Sequence, residues 1–405
     1  MKLQPVKGTK DYSPKEEIIR TKMKEIIETT YKKYGYEKIS TPIIEDISNL
    51  QSSEGGDNLK LIFKILKRGD KLDKALENKE FDNLADLGLR YDLTVPLARF
   101  YAGNKENLPK PFKAIQIDRA YRAERPQNGR LREFYQCDID IFGDSSLYSE
   151  IELIYVTSKA LNNLGFNDFK IKVNSRKLLN DMLKSFGYKD EELTKVCIIY
   201  DKLDKMSLES LIEELDESVD NETANKNFVE FLKHKDSFDF NQFDGKKDVD
   251  FIIEKVKELS KNQINVEFDS SLVRGQSYYT GCVFEIYSDK FGSALGGGGR
   301  YDNMVKKFTG EEVPAVGFSI GFERIFGLLL ENGISFSGRK KIAVFFNETN
   351  YNERFAFAEK LRENYDCSMV PSPKKLGKFL DKLESLNFAG FCYEDSDEIK
   401  FFEAK

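Results

Sequence analysis

The stretch Phe112–Gly143, FKAIQIDRAYRAERPQNGRLREFYQCDIDIFG, predicts an antiparallel hairpin and with it the fold. Two strand-like runs flank a polar turn. In the second run the side chains alternate with the period of two that sends neighbours to opposite faces of a sheet. One face carries Phe134, Gln136, Asp138 and Asp140, and the other carries Tyr135, Cys137, Ile139 and Ile141.

The first run carries charge at its end. The same spacing puts Arg122 and Glu124 on one face and Ile115 and Ile117 on the other. An antiparallel sheet with its polar face in water is the commonest origin of such alternation. The turn, residues 125–132, instead favours a ligand-binding face, because it contains three arginines. Their guanidinium groups suit bidentate phosphate binding. The hairpin alone is compatible with two interpretations of its polar face, a solvated surface and a ligand-binding surface.

The Arg-x-Glu strand, the polar loop and the returning Phe strand resemble motif 2 of class II aminoacyl-tRNA synthetases, and RAERPQNGRLREFYQCDID resembles the histidyl-tRNA synthetase family in particular. Further matches follow in the family's order: TPIIED (Thr41–Asp46) for motif 1, LRYDLTVPLARF (Leu89–Phe100) for the amino-acid-binding strand, SLVRGQSYYTGCVFEI (Ser271–Ile286) and GGGGRYD (Gly296–Asp302) for the histidine-specific motifs, and VGFSIGFERI (Val316–Ile325) for motif 3. Six ordered matches over roughly the first 325 residues are far more specific than one short motif.

The resemblance implies an α+β fold: a class II antiparallel sheet flanked by helices, in a catalytic domain over residues 1–330. A charge-rich helical insertion is expected at about 177–250, with LESLIEELDE (Leu208–Glu217) as one helix. It resembles the family's helical domain over the tRNA acceptor stem, and a merely structural elaboration is the alternative. Residues 338–405 alternate strand and helix patterns and resemble a shortened anticodon-binding α/β domain.

Composition fits this architecture without selecting it. A net charge of −6 and a pI near 5.4 do not mark the whole chain as a nucleic-acid binder, so any RNA contact must use local basic patches. The five cysteines are scattered without metal-ligand spacing, which fits a reducing cytosol. No apolar run reaches membrane-spanning length and the start lacks the apolar core of a signal peptide. We expect a cytoplasmic protein that does not bind a membrane.

The chain has one histidine, His234, in the charged segment FLKHKDSFDF, far in sequence from every motif. This inventory excludes a catalytic triad, a histidine proton relay and a zinc site with several histidines. We expect no protein metal site. The chemistry must use arginines, carboxylates and metal-bound phosphate.

The resemblance implies an ATP-dependent histidine–tRNA ligase. Such an enzyme activates L-histidine with ATP to histidyl-adenylate plus pyrophosphate, and then transfers histidine to the 3′ end of tRNA(His). The implied cofactors are ATP and Mg²⁺. A homodimer is also implied, because the helix predicted at Lys15–Lys33 and the strand that follows it form the dimer interface in this family.

The motif matches assign roles to individual residues. Arg122 and Arg274 are the implied catalytic cations on the α-phosphate. The implied ATP-binding residues are Arg122, Glu124, Arg130, Phe134 and Arg324. The implied histidine-binding residues are Asp92, Thr94, Gln136 and Asp140 at the amino end, with Tyr278, Tyr279 and Tyr301 towards the ring. Gln127 and Arg132 fall where the acceptor end of the tRNA would lie.

Two departures from the family leave imidazole recognition and anticodon contacts open. Gln276 and Ser277 stand where many members carry Leu-Asp, so one acidic group near the pocket is missing. The C-terminal domain is short, which puts anticodon contacts in doubt. The alternative is a non-catalytic paralogue that senses histidine as a regulatory subunit of ATP phosphoribosyltransferase. Such paralogues typically lose the ATP-contacting arginines, which are all present here. A sensor of uncharged tRNA has no support, because no effector domain is attached.

Overall fold

The computed structural model describes residues 2–52, 56–126, 129–203, 206–274, 278–333, 336 and 338–402. Gln127, Gln276 and Ser277 lie outside the described residues. The chain divides into two compact units, Met1–Asp11 with Met23–Asn332 and Tyr12–Lys22 with Gly333–Lys405. Across the described part of the chain, no helix is long and apolar enough to cross a membrane.

The strands are β1 (Glu37–Lys38), β2 (Ile44–Asp46), β3 (Lys64–Leu66), β4 (Ala85–Leu89), β5 (Phe112–Tyr121), β6 (Glu133–Phe142), β7 (Lys170–Ser175), β8 (Val266–Phe268), β9 (Cys282–Ser288), β10 (Ser293–Arg300), β11 (Ala315–Gly321), β12 (Lys341–Phe346), β13 (Asp366–Pro371), β14 (Gly390–Cys392) and β15 (Lys400–Phe401). The helices are α1 (Pro14–Lys32), α2 (Ile47–Ser52), α3 (Asp70–Glu77), α4 (Thr94–Asn104), α5 (Tyr148–Asn163), α6 (Arg176–Ser185), α7 (Asp190–Tyr200), α8 (Leu208–Ser218), α9 (Glu222–Lys233), α10 (Asp244–Leu259), α11 (Lys306–Thr309), α12 (Phe322–Glu331), α13 (Tyr351–Leu361) and α14 (Leu376–Ser385).

An eight-stranded sheet in the order β1-β5-β6-β11-β10-β9-β7-β8 is the main element of the first unit. The strand pairs from β5 to β7 are antiparallel, and only the two edge strands pair in parallel. Helix α5 packs against β6 and β11, and α10 packs against β7 and β8. This architecture confirms the predicted α+β fold with an antiparallel sheet flanked by helices.

The predicted hairpin is present as β5 and β6, which pair from Phe112 opposite Phe142 to Tyr121 opposite Glu133. Strand β5 ends before Arg122 and Glu124, which lie in the loop. The polar face is not solvated along β6, because Asp138 is only 4% exposed and Asp140 only 3%. The interpretation of this face as an ordinary wet sheet surface is therefore wrong for β6.

The stretch Leu89–Phe100 was expected to be a strand, but the structure has a turn followed by a helix there. Strand β4 ends at Leu89, and α4 begins at Thr94. The Asp92 side chain accepts a hydrogen bond from the backbone N–H of Val95 at 3.1 Å, a contact that satisfies a free donor of the first helical turn. Pro96 is compatible with this helix because a residue in the first turn has no N–H partner to lose. Asp92 thus lies in a turn that a helix start holds in place.

Five helices, α6 to α10, follow β7 and precede β8, so the helical segment extends to Leu259, past the predicted end near residue 250. Aromatic side chains dominate its interior: Phe228 and Phe231 stack with ring centroids 6.0 Å apart. Tyr200 contacts Phe228 edge-on. The segment therefore has a core of its own beside the central sheet.

The second unit contains a four-stranded sheet in the order β13-β12-β14-β15 with α13 and α14. Strand β12 pairs in parallel with β13 and β14, as two strand–helix–strand crossovers require. The apolar side chains of β12 pack on both faces of this sheet. Phe345 packs with Phe391 in one cluster, and Val344 packs with Cys392 in another. The predicted strand–helix–strand–helix–strand order is correct.

Candidate active site

One face of the central sheet forms the floor of a cleft with a volume of about 860 Å³. A row of facing residues crosses five of its strands: Gln116 lies opposite Asp138, Asp138 opposite Ser319, Ser319 opposite Gly297, and Gly297 opposite Glu285. Residues directly opposite on neighbouring strands share a face. The floor therefore presents two carboxylates, Asp138 and Glu285. Gly297, which has no side chain, leaves a gap in the row between them.

The adjoining row contains glycines where bulkier groups lie above the sheet. A Cβ at Gly317 would be only 1.9 Å from Oδ1 of Asp140, and one at Gly299 would be 2.8 Å from the ring of Tyr279. These two side chains therefore lie directly over the glycine backbone. The glycines in β10 and β11 make room for them because glycine has no Cβ.

Four buried side-chain oxygens in the cleft have no hydrogen-bond donor among the described residues: Asp92 Oδ2, Gln136 Oε1, Asp138 Oδ1 and Asp140 Oδ2. Buried acceptors are nearly always paired in folded proteins, and an unpaired one costs free energy. A ligand rich in N–H donors would satisfy them. An amino acid with an ammonium group and a donor on its side chain has that chemistry.

The three carboxyl groups of this acceptor set have raised pKa values. Burial raises the pKa of Asp92 to about 6 and that of Asp140 to about 7. Burial, followed by repulsion from Asp140, raises the pKa of Asp138 well above its ordinary value. The charged forms are disfavoured until a cation enters the cleft.

Three tyrosines border the acceptor set. The hydroxyl of Tyr301 donates a hydrogen bond to Oδ1 of Asp140 at 2.5 Å. The ring of Tyr278 lies 4.8 Å from that of Tyr279 and 6.0 Å from that of Tyr301, measured between centroids. Tyr279 and Tyr301 are buried, and Tyr278 is partly so. The cleft thus has an aromatic wall beside Asp140, suited to a planar ring.

Arginines converge on the other part of the cleft. Arg122 is held by a hydrogen bond from its Nε to the carbonyl oxygen of Tyr91 at 3.0 Å, and its guanidinium lies 5.0 Å from the centroid of Phe134. Arg324, in the first turn of α12, donates to the carbonyl oxygens of Gly129 and Ala294. Burial, with repulsion from nearby Arg130, lowers the pKa of Arg324. Concentrated positive charge of this kind suits a polyphosphate.

Arg274 lies over the gap in the floor. Its backbone has a positive φ of 59°, and its Nη1 lies 3.1 Å from Oε2 of Glu285. A Cβ at Gly297 would be 2.4 Å from Nη2 of Arg274. The guanidinium is thus placed by a glycine beneath it and a carboxylate beside it.

The structure brings most predicted site residues together. Those that line the cleft are Asp92, Thr94, Arg122, Glu124, Arg130, Phe134, Gln136, Asp140, Arg274, Tyr278, Tyr279, Tyr301 and Arg324. Arg132 does not line it, because its guanidinium donates to the backbone oxygens of Glu124 and Lys7. The cleft floor also includes Asp138, Ser319, Gly297 and Glu285, to which the sequence analysis assigned no site role. Alternation along β6 already marked Asp138, and the lone charge in the apolar run CVFEIYS could have marked Glu285.

Metal-binding side chains are sparse. Among the described residues no group of three or more histidine, cysteine, aspartate or glutamate side chains is arranged to hold a metal ion. His234 is exposed on α9's end and lies 3.1 Å from Glu230. Any metal in the cleft would therefore depend on ligand oxygens as well as protein oxygens.

Known proteins resemble this chain along most of its length. A sequence profile described as histidyl-tRNA synthetase matches residues 8–325. A protein of Leifsonia xyli subsp. xyli named histidine–tRNA ligase is 40% identical over 350 residues, which cover 81% of this chain and 80% of that protein. A protein of Christiangramia forsetii with the same name is 34% identical in an alignment that covers 98% of this chain and 94% of that one.

Two solved structures share the fold. A histidyl-tRNA synthetase from Nostoc sp. PCC 7120 aligns with a TM-score of 0.75 at 24% identity, covering 96% of this chain and 91% of that one. A Bacillus halodurans chain described as an ATP phosphoribosyltransferase regulatory subunit/histidyl-tRNA synthetase aligns with a TM-score of 0.76 at 21% identity, covering 97% and 98%. At these identities the likeness shows the fold alone.

We predict that Glu285→Gln slows any reaction that uses Arg274, on the order of tenfold, because the guanidinium loses its charged partner. The amide has nearly the same shape, so the fold should persist. Steady-state kinetics would show a lower kcat with little change in the KM of the amino acid. Glu267→Gln, which breaks the pair with Lys170 outside the cleft, is the matched control. A Glu285→Gln enzyme as fast as the parent would contradict this role.

We also predict that the ligand-free protein loses stability as pH rises from about 4 to about 7. The folded state holds protons on Asp92 and Asp140 at pH values where the unfolded chain, with an ordinary aspartate pKa near 3.8, has released them. Raising the pH therefore favours unfolding, by on the order of a few kcal/mol in total. Urea titrations at several pH values should show a smaller decline for Asp140→Asn. The Asp82→Asn variant, at an exposed aspartate outside the cleft, should decline like the parent.

Proposed function

The chain belongs to the histidyl-tRNA synthetase family, and we propose that the cleft described above performs both steps of its ligase reaction. The protein is an ATP-dependent histidine–tRNA ligase: it activates L-histidine to histidyl-adenylate with release of pyrophosphate, and transfers histidine to tRNA(His). The observation that carries the assignment to this cleft is the side-by-side placement of four unpaired acceptors and a group of arginines. The first suits the amino acid, and the second suits ATP.

In the activation step the histidine carboxylate attacks the α-phosphorus of ATP, and the bond to pyrophosphate breaks. Negative charge grows on the phosphoryl oxygens, so fixed cations stabilise the transition state. We assign Arg122 and Arg274 to the α-phosphate. The hydrogen bond from Arg122 to Tyr91 and the ion pair of Arg274 with Glu285 hold both guanidinium groups before ATP arrives.

The remaining ATP contacts follow from the cleft lining. Phe134 stacks on the adenine, and Glu124 accepts a hydrogen bond from its amino group. Arg130 and Arg324 hold the γ-phosphate; Arg130 lies 3.8 Å from Glu124. Mg²⁺ supplies charge neutralisation between the phosphates when bound. Glu124 and Glu285 are carboxylates of the cleft that offer oxygen ligands to it, alongside the phosphates themselves.

Histidine binding uses the acceptor set. Asp92 and Gln136, with Thr94 at the start of α4, face the ammonium. We move Asp140 from the amino end to the ring end, because Tyr301 holds one of its oxygens and the aromatic wall begins there. Tyr278, Tyr279 and Tyr301 enclose the imidazole. A site built from buried polar groups rejects a side chain that leaves them unpaired.

In the second step a hydroxyl of the terminal ribose of the tRNA attacks the carbonyl carbon of histidyl-adenylate, the bond to the phosphate breaks and AMP leaves. The cleft supplies no histidine base for this step, because the chain's one histidine lies elsewhere. Gln127 and Arg132 would contact the acceptor end of the tRNA. The helices α6 to α10 would cover the acceptor stem, and residues 338–405 would contact the anticodon. We place the reaction in the cytoplasm.

A regulatory subunit of ATP phosphoribosyltransferase is the alternative function. Such a protein needs the histidine site but not the phosphate site. Four cleft arginines, Arg122, Arg130, Arg274 and Arg324, argue for catalysis, since a histidine sensor has no use for them.

We further propose that the protein is a homodimer, and an exposed apolar sheet face supports this. In the three-stranded sheet β2-β4-β3, the face that carries Gly88 packs on Leu50 and Ile62. On the opposite face Ile44 is 51% and Leu87 38% exposed. Exposed apolar area of this kind marks an interface. Because Ile44 belongs to the motif 1 match, a second copy of the chain is the occupant we propose.

The enzymatic assignment is tested by histidine-dependent exchange of labelled pyrophosphate into ATP, which needs no tRNA. We expect exchange with histidine and with no other amino acid. Arg274→Ala should slow it on the order of a hundredfold or more, because the α-phosphate loses a fixed cation. Histidine binding without exchange in the parent protein would instead favour the regulatory subunit. A folded Arg274→Ala protein with unchanged exchange would remove Arg274 from the mechanism.

The dimer is tested by placing charge on the exposed sheet face. Ile44→Asp combined with Leu87→Asp should convert the dimer to a monomer, because an apolar interface cannot bury unpaired carboxylates. Light scattering coupled to gel filtration gives the mass directly. Leu259→Asp, on the exposed side of α10, is the control and should not change the mass. A dimer that persists in the double variant would place the interface elsewhere.

A further inference from the structure

Asp138 is a buried acid that the assignments above leave without a role. It lies on β6 between Gln136 and Asp140, with Gln116 and Ser319 opposite it on the two neighbouring strands. Its Oδ1 faces the cleft without a donor among the described residues. A buried carboxylate with an unpaired oxygen destabilises the fold, so its presence on the cleft floor points to a ligand.

The neighbours of Asp138 fix one oxygen and leave the other free. The hydroxyl of Ser319 hydrogen-bonds to the Asp138 carboxylate. The same hydroxyl accepts a hydrogen bond from Nε2 of Gln136 at 3.3 Å, so the amide's other atom, Oε1, remains an unpaired acceptor. This short chain of contacts holds Gln136 and Asp138 as a pair of acceptors in one orientation.

The number of free acceptors matches the substrate. Histidine with a neutral ring has four N–H donors, three on the ammonium and one on the imidazole. Within the described part of the chain, the cleft has four buried oxygens without a hydrogen-bond donor, on Asp92, Gln136, Asp138 and Asp140. Asp140 is committed to the ring end by its contact with Tyr301. Three acceptors, one for each ammonium N–H, remain.

Position along the sheet agrees with this count. The row of Asp140 carries Gly317 and Gly299, over which Asp140 and the ring of Tyr279 lie. The row of Asp138 carries Gly297, over which the guanidinium of Arg274 lies. Asp138 is therefore in the row next to the aromatic wall and in the same row as the guanidinium of Arg274 at the phosphate end. In a histidine that spans these two regions, the atom between the ring and the reacting carboxylate is Cα, which bears the ammonium.

We propose that Asp138 accepts a hydrogen bond from the α-ammonium of histidine, together with Asp92 and Gln136, and so helps to determine which amino acid the cleft accepts. The proposal rests on the function proposed above. It makes Asp138 a substrate-binding residue rather than a support for the strand. It also means that the amino end is held by two carboxylates, which favours ligands that carry a positive charge there.

Two analogues of histidine test the contributions of its ammonium and its carboxylate separately. L-Histidinol keeps the ammonium and the ring but lacks the carboxylate, and deaminohistidine keeps the ring and the carboxylate but lacks the ammonium. We would titrate parent and Asp138→Asn proteins with L-histidine, both analogues and ATP by calorimetry. Loss of a charged hydrogen bond should raise the Kd of histidine and of histidinol about tenfold to a hundredfold. The Kd values of deaminohistidine and ATP should stay within about twofold, since neither carries the ammonium.

The controls distinguish a binding role from a structural one. Asp269→Asn changes an acid of the same cleft that is already paired, 2.7 Å from Lys172, and should leave all four Kd values unchanged. If Asp138→Asn fails to fold, Asp138→Ser replaces the carboxylate with a smaller polar group. Unchanged ATP binding would then show that the cleft of this variant is folded. A histidinol affinity that survives the loss of the carboxylate, or a deaminohistidine affinity that falls with it, would overturn the proposal. A parent protein that binds no histidine would instead overturn the proposed function, and this inference with it.

Discussion

Buried, unpaired carboxylates on the floor of the central sheet are the constraint on which the rest of this structure depends. Asp92, Asp138 and Asp140 are almost fully buried, and each has an oxygen without a donor among the described residues. Their raised pKa values show that the empty site resists carrying three negative charges. Stability and function therefore oppose each other here. The same groups that weaken the ligand-free fold are the partners of the substrate's N–H donors in the binding mode that we propose.

Such a floor needs a rigid support, and Arg90 provides part of it. Its side chain is fully buried and donates to the backbone oxygens of Thr41 and Arg119, each at 2.8 Å, while its Nη2 lies 2.8 Å from Asp118. The next residues in the chain are Tyr91, which holds Arg122, and Asp92. One guanidinium thus links the motif 1 segment, strand β5 and the turn that carries Tyr91 and Asp92.

Glycines in β10 make room for two side chains of the site. The run LGGGGR in β10 leaves the sheet surface bare at Gly297 and Gly299, and Arg274 and Tyr279 approach the backbone there. At the end of the same strand Arg300 is anchored to buried Glu150 by two contacts of 2.6 Å. The strand is therefore open where it lines the cleft and fixed where it meets α5. Side chains on β10 would fill the space that the guanidinium and the ring occupy.

Local patterns in the sequence predict the hairpin, the antiparallel sheet with flanking helices, the small C-terminal α/β fold and the family, because alternation and ordered motifs can be recognised without the tertiary structure. It also named most residues that line the cleft. Tertiary structure alone decided three things. Asp92 lies in a helix-capping turn rather than a strand, since a capping contact overrides a strand-like pattern. The polar face of β6 is buried rather than wet, because periodicity gives the side on which a residue lies and not what covers it. Asp138 and Glu285 join the site only through cross-strand register, which places these two residues, more than a hundred positions apart in the chain, in one row across the sheet and is not encoded in either strand alone.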